Sequence, residues 1–164
     1  MQIRKTTRAD LPRIMEIYHG ARVFMAEHGN PRQWGPTNWP PEALLISDIC
    51  AGKSYVCLND KQEVIGTFYY DFGNDIEPTY RSMEEGSWRD GSPFGVVHRL
   101  AGDHSERGIG AFCLNWAFTQ SGHLKIDTHA DNTVMQALLR KLGFKRAGII
   151  HVVEDNDPRI AFIK

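Results

Sequence analysis

The spacing of apolar positions along the chain switches between two and three-to-four residues, and each switch marks an element. Residues 2–5 (QIRK) read as a short strand. A helix is expected to begin near Thr7 to Asp10, both good caps, with Pro12 tolerated in the first turn. Leu11, Ile14, Ile17, Tyr18, Ala21, Phe24 and Met25 then form one apolar face, fit to pack on a sheet, and Glu27-His28-Gly29 closes the helix. A second helix is expected from Pro41 to Ala51, with proline at its start and Gly52 after it. Ser54 to Asn59 and Val64 to Tyr70 read as a hairpin around a polar turn. Residues 71–93 are polar and rich in turn formers, with a short helical turn expected around Tyr80 to Glu85. Phe94 to Leu100 reads as a buried strand, Ala101 to Arg107 as a loop, and Ile109, Phe112, Cys113, Trp116 and Ala117 as a helix face. A strand at Leu124 to Thr128 leads to a helix from Asn132 to Leu142. Ala147 to Glu154 and Arg159 to Lys164 form a closing hairpin around Asp155 to Pro158. The order βααββ(loop)βαβαββ predicts an α/β (α+β) architecture: a mixed central sheet of six to seven strands with helices on both faces. The 164 residues suit one domain, 1–164, without repeats or linker.

One loop departs from the solvated kind. Asn30 to Pro41 carries four prolines, a glycine, Trp34 and Trp39, so regular structure is excluded while two indoles demand cover. It reads as a packed loop whose tryptophans either cap the core or line a pocket. The net charge of −1 gives no footprint for nucleic acid. No apolar run approaches bilayer length, so no membrane partner is expected. Three cysteines, an odd number without metal-ligand spacing, point to a reducing cytoplasm, and the first residues hold no signal-peptide core. The seven histidines are scattered without zinc-motif spacing, so no metal is expected.

The candidate chemistry lies between Phe94 and Phe144. Strand, Gly108-Ile109-Gly110 and helix form a way to hold an anion: glycines admit close approach, and unpaired N–H groups at a helix start face outward. A dinucleotide site fails, because Cys113 stands where the third glycine of Gly-x-Gly-x-x-Gly belongs.

At these residues the chain resembles the GNAT superfamily of acyl-CoA-dependent N-acyltransferases. That family carries Q/R-x-x-G-x-G/A between a strand and a helix; here the six residues run from Ser105 to Gly110, with both glycines matched and serine at the first position. The later family segment N-x-x-A-x-x-L-Y-x-x-L-G-F aligns with Asn132 to Phe144, matching Asn132, Leu142, Gly143 and Phe144, while Leu139 falls where tyrosine is frequent. The resemblance implies an N-acetyltransferase that uses acetyl-CoA as acyl donor and a small-molecule amine as acceptor, with a homodimer among its expected states. It places the Leu100 main chain beside the thioester and the N–H groups of Arg107, Gly108, Ile109, Gly110 and Ala111 at the pyrophosphate, with Ser105 lacking the usual long side chain. Asn132 reads equally as helix N-cap and as ligand contact.

Deprotonation of the amine points to His98, two residues before Leu100 and so expected on the same strand face, and secondly to His129. A buried, hydrogen-bonded histidine is the competing reading of His98. The acceptor cleft is expected to draw on Phe24, Trp34, Trp39, Tyr80 and Trp88. Leu139 leaves the thiolate's general acid open, with Tyr80 or water as candidates. The altered loop residue and the absent tyrosine also support a second reading, an acyl-CoA-binding sensor without turnover.

Overall fold

Runs of β-branched and aromatic residues pair into one mixed sheet, and their register decides where the sheet opens. The computed structural model describes residues 1–88, 91–153 and 156–164. Its strands are β1 (Gln2–Lys5), β2 (Ser54–Leu58), β3 (Val64–Gly73), β4 (Glu85–Gly86), β5 (Phe94–Gly102), β6 (Leu124–His129), β7 (Lys145–His151) and β8 (Pro158–Ile163). They lie in the order β1-β2-β3-β5-β6-β8-β7-β4, with β5 and β6 parallel to each other. The helices are α1 (Leu11–Glu27), α2 (Glu42–Cys50), α3 (Ile109–Ser121) and α4 (Thr133–Lys141).

The sheet has eight strands among the described residues, where the sequence pattern predicts six to seven. The addition is β4, whose two residues pair with Ile149 and Gly148 and are too few to show a period. Its approach to β7 requires glycine on both sides: a Cβ on Gly86 would meet the Ala147 carbonyl oxygen at 1.9 Å, and one on Gly148 that of Glu85 at 1.7 Å. The helical turn expected nearby is a 3-10 turn at Pro78–Arg81. Arg89 and Asp90, read as part of the polar segment, and Glu154 and Asp155, read as strand end and turn, lie outside the described residues.

The first helix is set by its entry. The Thr7 N–H and hydroxyl both donate to the Asp10 carboxylate, at 2.7 and 2.8 Å, and Arg4 grips the same group with two bonds of 2.8 Å. The Arg4 bonds, ahead of those from Thr7, hold the Asp10 pKa down at about 2. Ile14, Ile17, Tyr18 and Ala21 then fall on one face and pack with Leu45 of α2 against Val56, Leu58 and Ala101. On the opposite face α3 and α4 bury Cys113, Leu114, Ala117 and Leu139 against Phe68, Val97, Ile126 and Phe162.

A bulge in β5 interrupts this order. Thr67 and Tyr69 are two steps apart on β3, yet face Ala101 and His98, three steps apart on β5. Arg99 takes up the extra residue in the left-handed region, at φ 54. Three contacts hold it there: the Tyr18 hydroxyl donates to its carbonyl at 2.9 Å, its Nη2 reaches Asp48 Oδ2 at 2.6 Å, and its guanidinium lies 4.8 Å from the Tyr69 ring centre. β5 and β6 pair only at Gly95–Leu124 and Val96–Lys125; past those residues no pairing joins them, although β5 continues to Gly102 and β6 to His129. A wedge opens there in the middle of the sheet. Among the described residues no helix is long and apolar enough to cross a membrane.

Leu139 has 0% exposure inside the α3/α4 cluster. Leu139→Ala is expected to cost about 2–5 kcal/mol of unfolding free energy, read by chemical denaturation. A variant as stable as the parent would show that the core does not rely on this side chain.

Candidate active site

The wedge leads into a cavity of about 270 Å³. Its floor is the bulged backbone of Val97 to Gly102, one wall is the start of α3, and Asn132, just before α4, and Met135 of α4 border the far side. The loop between α1 and α2 covers it with Asn30, Gln33 and Trp34. That loop is tied across the cavity, for Asn132 Nδ2 donates to Gln33 Oε1 at 3.0 Å and Arg32 reaches Asp131 at 2.7 Å.

Gly108 sits at the N-cap of α3 with φ 88, a conformation that costs glycine little and other residues more. Gly110 answers a different need: a Cβ there would lie 3.0 Å from Leu138 Cδ2, so its absence lets α4 close on α3. The first-turn N–H groups of α3 have no partner within the helix. Leu100, Gly108, Ile109, Gly110 and Asn132 all border the cavity, whereas Ser105, Arg107 and Ala111 do not. Ser105 is turned outward, with its hydroxyl and N–H both bound to Asp103 Oδ1 at 2.6 and 2.9 Å. Asn132 caps α4 by accepting from the Met135 N–H at 3.0 Å, and its amide nitrogen remains directed at Gln33.

The bulge also alters where His98 and Leu100 point. Strict alternation predicts a shared face; one extra residue between them breaks it. Leu100 joins Val97 in the cluster under α3 and α4, while His98 turns to Glu77, its Nε2 at 2.7 Å from Glu77 Oε2. Burial pushes Glu77 upward, but the His98 hydrogen bond and charge, with the Thr79 N–H, outweigh it, and the net pKa is below the ordinary value. An ionised Glu77 only accepts, so His98 Nε2 carries a proton and Nδ1 is the ring nitrogen left for other partners. Nδ1 lies 3.9 Å from Asp127 Oδ1. Asp127 in turn accepts the Tyr80 hydroxyl at 2.7 Å. Burial, then the Asp127 charge, drives the Tyr80 phenol well above its usual pKa. His98 and Asp127 border the main cavity; Glu77 and Tyr80 stand behind them and line a second cavity of about 260 Å³ with Trp88 and Lys125.

The remaining expected residues divide. Phe24 lines the main cavity, stacked between His28 and His104 at 3.8 and 4.2 Å, and Trp34 lines it edge-on to Tyr18. Trp39 is 37% exposed and borders neither cavity, and Trp88 packs on Tyr80 with its indole N–H on the Tyr80 carbonyl. His129 does not reach the main cavity; its Nδ1 accepts the Asp131 N–H at 3.0 Å, so it fastens the turn between β6 and α4. Asp127, adjacent enough in sequence to suggest a partner for His129, pairs with Tyr80 instead. Glu77 carries no sequence signal, since its partner is 21 residues away.

No family model matches the chain, and no curated protein sequence does. Solved structures do. A GNAT-family acetyltransferase from Streptococcus agalactiae superposes with TM-score 0.88 at 27% identity, over 99% of this chain and 94% of that one. A ribosomal-protein-alanine N-acetyltransferase from Brucella melitensis matches with TM-score 0.63 at 20% identity, over 100% and 99%. A GNAT phosphinothricin acetyltransferase from Sinorhizobium meliloti, solved with acetyl-CoA, matches with TM-score 0.62 at 18% identity, over 99% and 86%.

The depressed Glu77 pKa fixes a sign. The unfolded carboxylate, at about 4.3, binds a proton that folded Glu77 still rejects, so this contribution is full above that value and is lost as pH falls through the folded pKa. Unfolding free energies of the parent and Glu77→Gln, measured from pH 7 down to pH 3, are expected to converge in acid. A gap that stays constant would show that Glu77 ionisation contributes nothing.

Proposed function

The fold is that of the GNAT acetyltransferases, and on that premise we propose that this protein transfers an acetyl group from acetyl-CoA to a primary amine of a small acceptor, by direct attack in a ternary complex. The observation that carries this reading is the cavity in the β5/β6 wedge. The glycine start of α3 borders it, and so does a carboxylate-oriented imidazole.

The residues fit an acyl-CoA. Gly108 and Gly110 keep side chains away from the first turn of α3, where main-chain N–H groups suit a pyrophosphate. The unpaired β5 edge offers backbone groups to an extended amide-bearing arm, with the Leu100 main chain nearest the carbonyl to be attacked. Bound there, the donor supplies an electrophilic thioester carbonyl; the remaining steps belong to the protein. Asp127 and Glu77 give the His98 end of the cavity negative charge, which draws an ammonium group. His98 Nδ1 accepts the amine proton, and Glu77 on Nε2 stabilises the imidazolium that forms. The thiolate leaves without help from position 139, because Leu139 is in the core. Tyr80, committed to Asp127, acts by holding that carboxylate.

Two measurements test this. Acetyl-CoA is expected to raise the melting temperature by mass action, and Gly110→Glu to abolish the shift by adding bulk against Leu138 and charge against phosphate. Thiol release from acetyl-CoA, with a panel of primary amines, is expected to fall about 10²- to 10⁴-fold in His98→Gln, with the rate limb that rises with pH lost and acetyl-CoA affinity unchanged. Binding without thiol release from any amine would favour the sensor over the enzyme; normal turnover in the variant would remove His98 from the mechanism.

A further inference from the structure

The main cavity is short of fixed positive charge. Among the described residues, the side chains bordering it that can carry a positive charge are His28, His98, Arg99 and His104, and no lysine is with them. Two of these are committed inside the protein: His98 Nε2 to Glu77 Oε2 at 2.7 Å, and Arg99 Nη2 to Asp48 Oδ2 at 2.6 Å. A donor with a diphosphate brings negative charge to the start of α3, and a buried or half-buried anion needs donors or cations around it. His28 and His104 are the side chains placed to supply them.

The fold holds the two histidines together. Their rings stack on the two faces of Phe24, with centroids at 3.8 and 4.2 Å and planes inclined by 22° and 27°. All three residues border the cavity, as does Gly108, and both histidines are exposed. The stack joins two elements: His28 is the C-cap of α1, and His104 stands on the loop from β5 to α3, in the left-handed region at φ 62. The His28 Nδ1 lies 2.7 Å from the Phe24 carbonyl oxygen, which only accepts, so Nδ1 carries a proton. In the neutral ring Nε2 is then a lone pair, and a phosphate oxygen is an acceptor too. His28 donates to phosphate from Nε2 only after taking up a second proton.

The surroundings favour that second proton. The imidazolium would stand at the C-terminal, negative end of the α1 dipole and over an aromatic face. Of the elements around it, α1 contributes Glu27, and the loop before α3 contributes Glu106 and Asp103, the last held by Arg13 at 2.6 Å. The covering loop contributes Arg32, which Asp131 holds at 2.7 Å. His104 differs, because a neutral imidazole always has one N–H to give. We propose that His28 and His104 clasp the donor's diphosphate beside the start of α3, and that His28 does so only as imidazolium, so that donor binding takes up a proton. Both are positioning residues, since neither meets the acyl group. The proposal rests on the acetyltransferase reading for the identity of the donor.

The experiment separates the phosphates of the donor. Acetyl-dephospho-CoA keeps the diphosphate, S-acetylpantetheine has no phosphate, and acetyl-CoA adds a phosphate monoester. Each is titrated into the protein by calorimetry at about pH 6 and pH 8, a span in which imidazole changes charge, and in buffers of different ionisation enthalpy, which count the protons taken up. Acetyl-dephospho-CoA is expected to bind about tenfold more weakly at the higher pH, the worth of one charge-assisted hydrogen bond, with proton uptake on binding. S-acetylpantetheine should show neither effect. His28→Gln, whose amide donates without a proton, is expected to flatten the dependence and abolish the uptake. His104→Asn, which tolerates the left-handed backbone, is expected to weaken binding about fivefold at both pH values and keep the uptake. Four results overturn the proposal: pH-independent binding of acetyl-dephospho-CoA, the same dependence with S-acetylpantetheine, proton uptake that survives His28→Gln, or unchanged affinity in His104→Asn. A dependence shown by acetyl-CoA alone falls under the first and would assign the histidines to the monoester. Proton-linked donor binding without thiol release on any amine would retain the clasp and remove the transferase reading, whereas donor binding and turnover without the pH dependence would do the reverse.

Discussion

The left-handed conformation of Arg99 is the constraint on which the rest of the site depends. A non-glycine residue held there costs on the order of 1–3 kcal/mol, and the surroundings over-determine it from three sides. The Tyr18 hydroxyl holds its carbonyl, Asp48 its guanidinium, and Tyr69 the flat face of that group. The ion pair is largely buried, with side-chain exposures of 13% and 10%, so desolvation offsets much of its attraction and its worth is geometric. Burial raises the Asp48 pKa and Arg99 works against that rise, which leaves the carboxylate dependent on its partner. What α1 and α2 supply to the sheet is therefore more than apolar cover. Tyr18 from one and Asp48 from the other hold the bulge in place.

From the bulge the cavity follows. One extra residue in β5 sends Leu100 to the α3 side with Val97, turns His98 towards Glu77, and accompanies the loss of pairing with β6 after Val96. The glycines of the α3 start then matter for a second reason: Gly110 allows Leu138 to approach to within contact of α3, closing the far end of the same space.

The sequence displays the parts of this arrangement that have a period or a composition. The strands and helices, the glycine turn and the Asn132 cap are local patterns, and their boundaries move by a few residues at most between pattern and structure. The bulge has no such signature, since arginine is not the residue expected at positive φ, and its three supports come from positions 18, 48 and 69. β4 is legible only through Gly86 and Gly148, each of which could have marked an ordinary turn. The Glu77–His98 pair and the Tyr80–Asp127 pair join residues 21 and 47 positions apart, so only the folded sheet brings them together. Proximity along the chain is a poor guide here: Asp127 and His129 lie two apart on one strand yet take different partners.

Two costly features stand at the site: Arg99, at φ 54, borders the cavity, and the desolvated Glu77 stands behind His98. Glycine at 99 would relieve the backbone, but it would leave buried Asp48 without its partner, so the strain and the ion pair are retained together. Charge is spread along the cavity rather than gathered at one end: Asp127 borders it beside His98, Glu106 beside the start of α3, and the amides of Asn30, Gln33 and Asn132 lie under the covering loop.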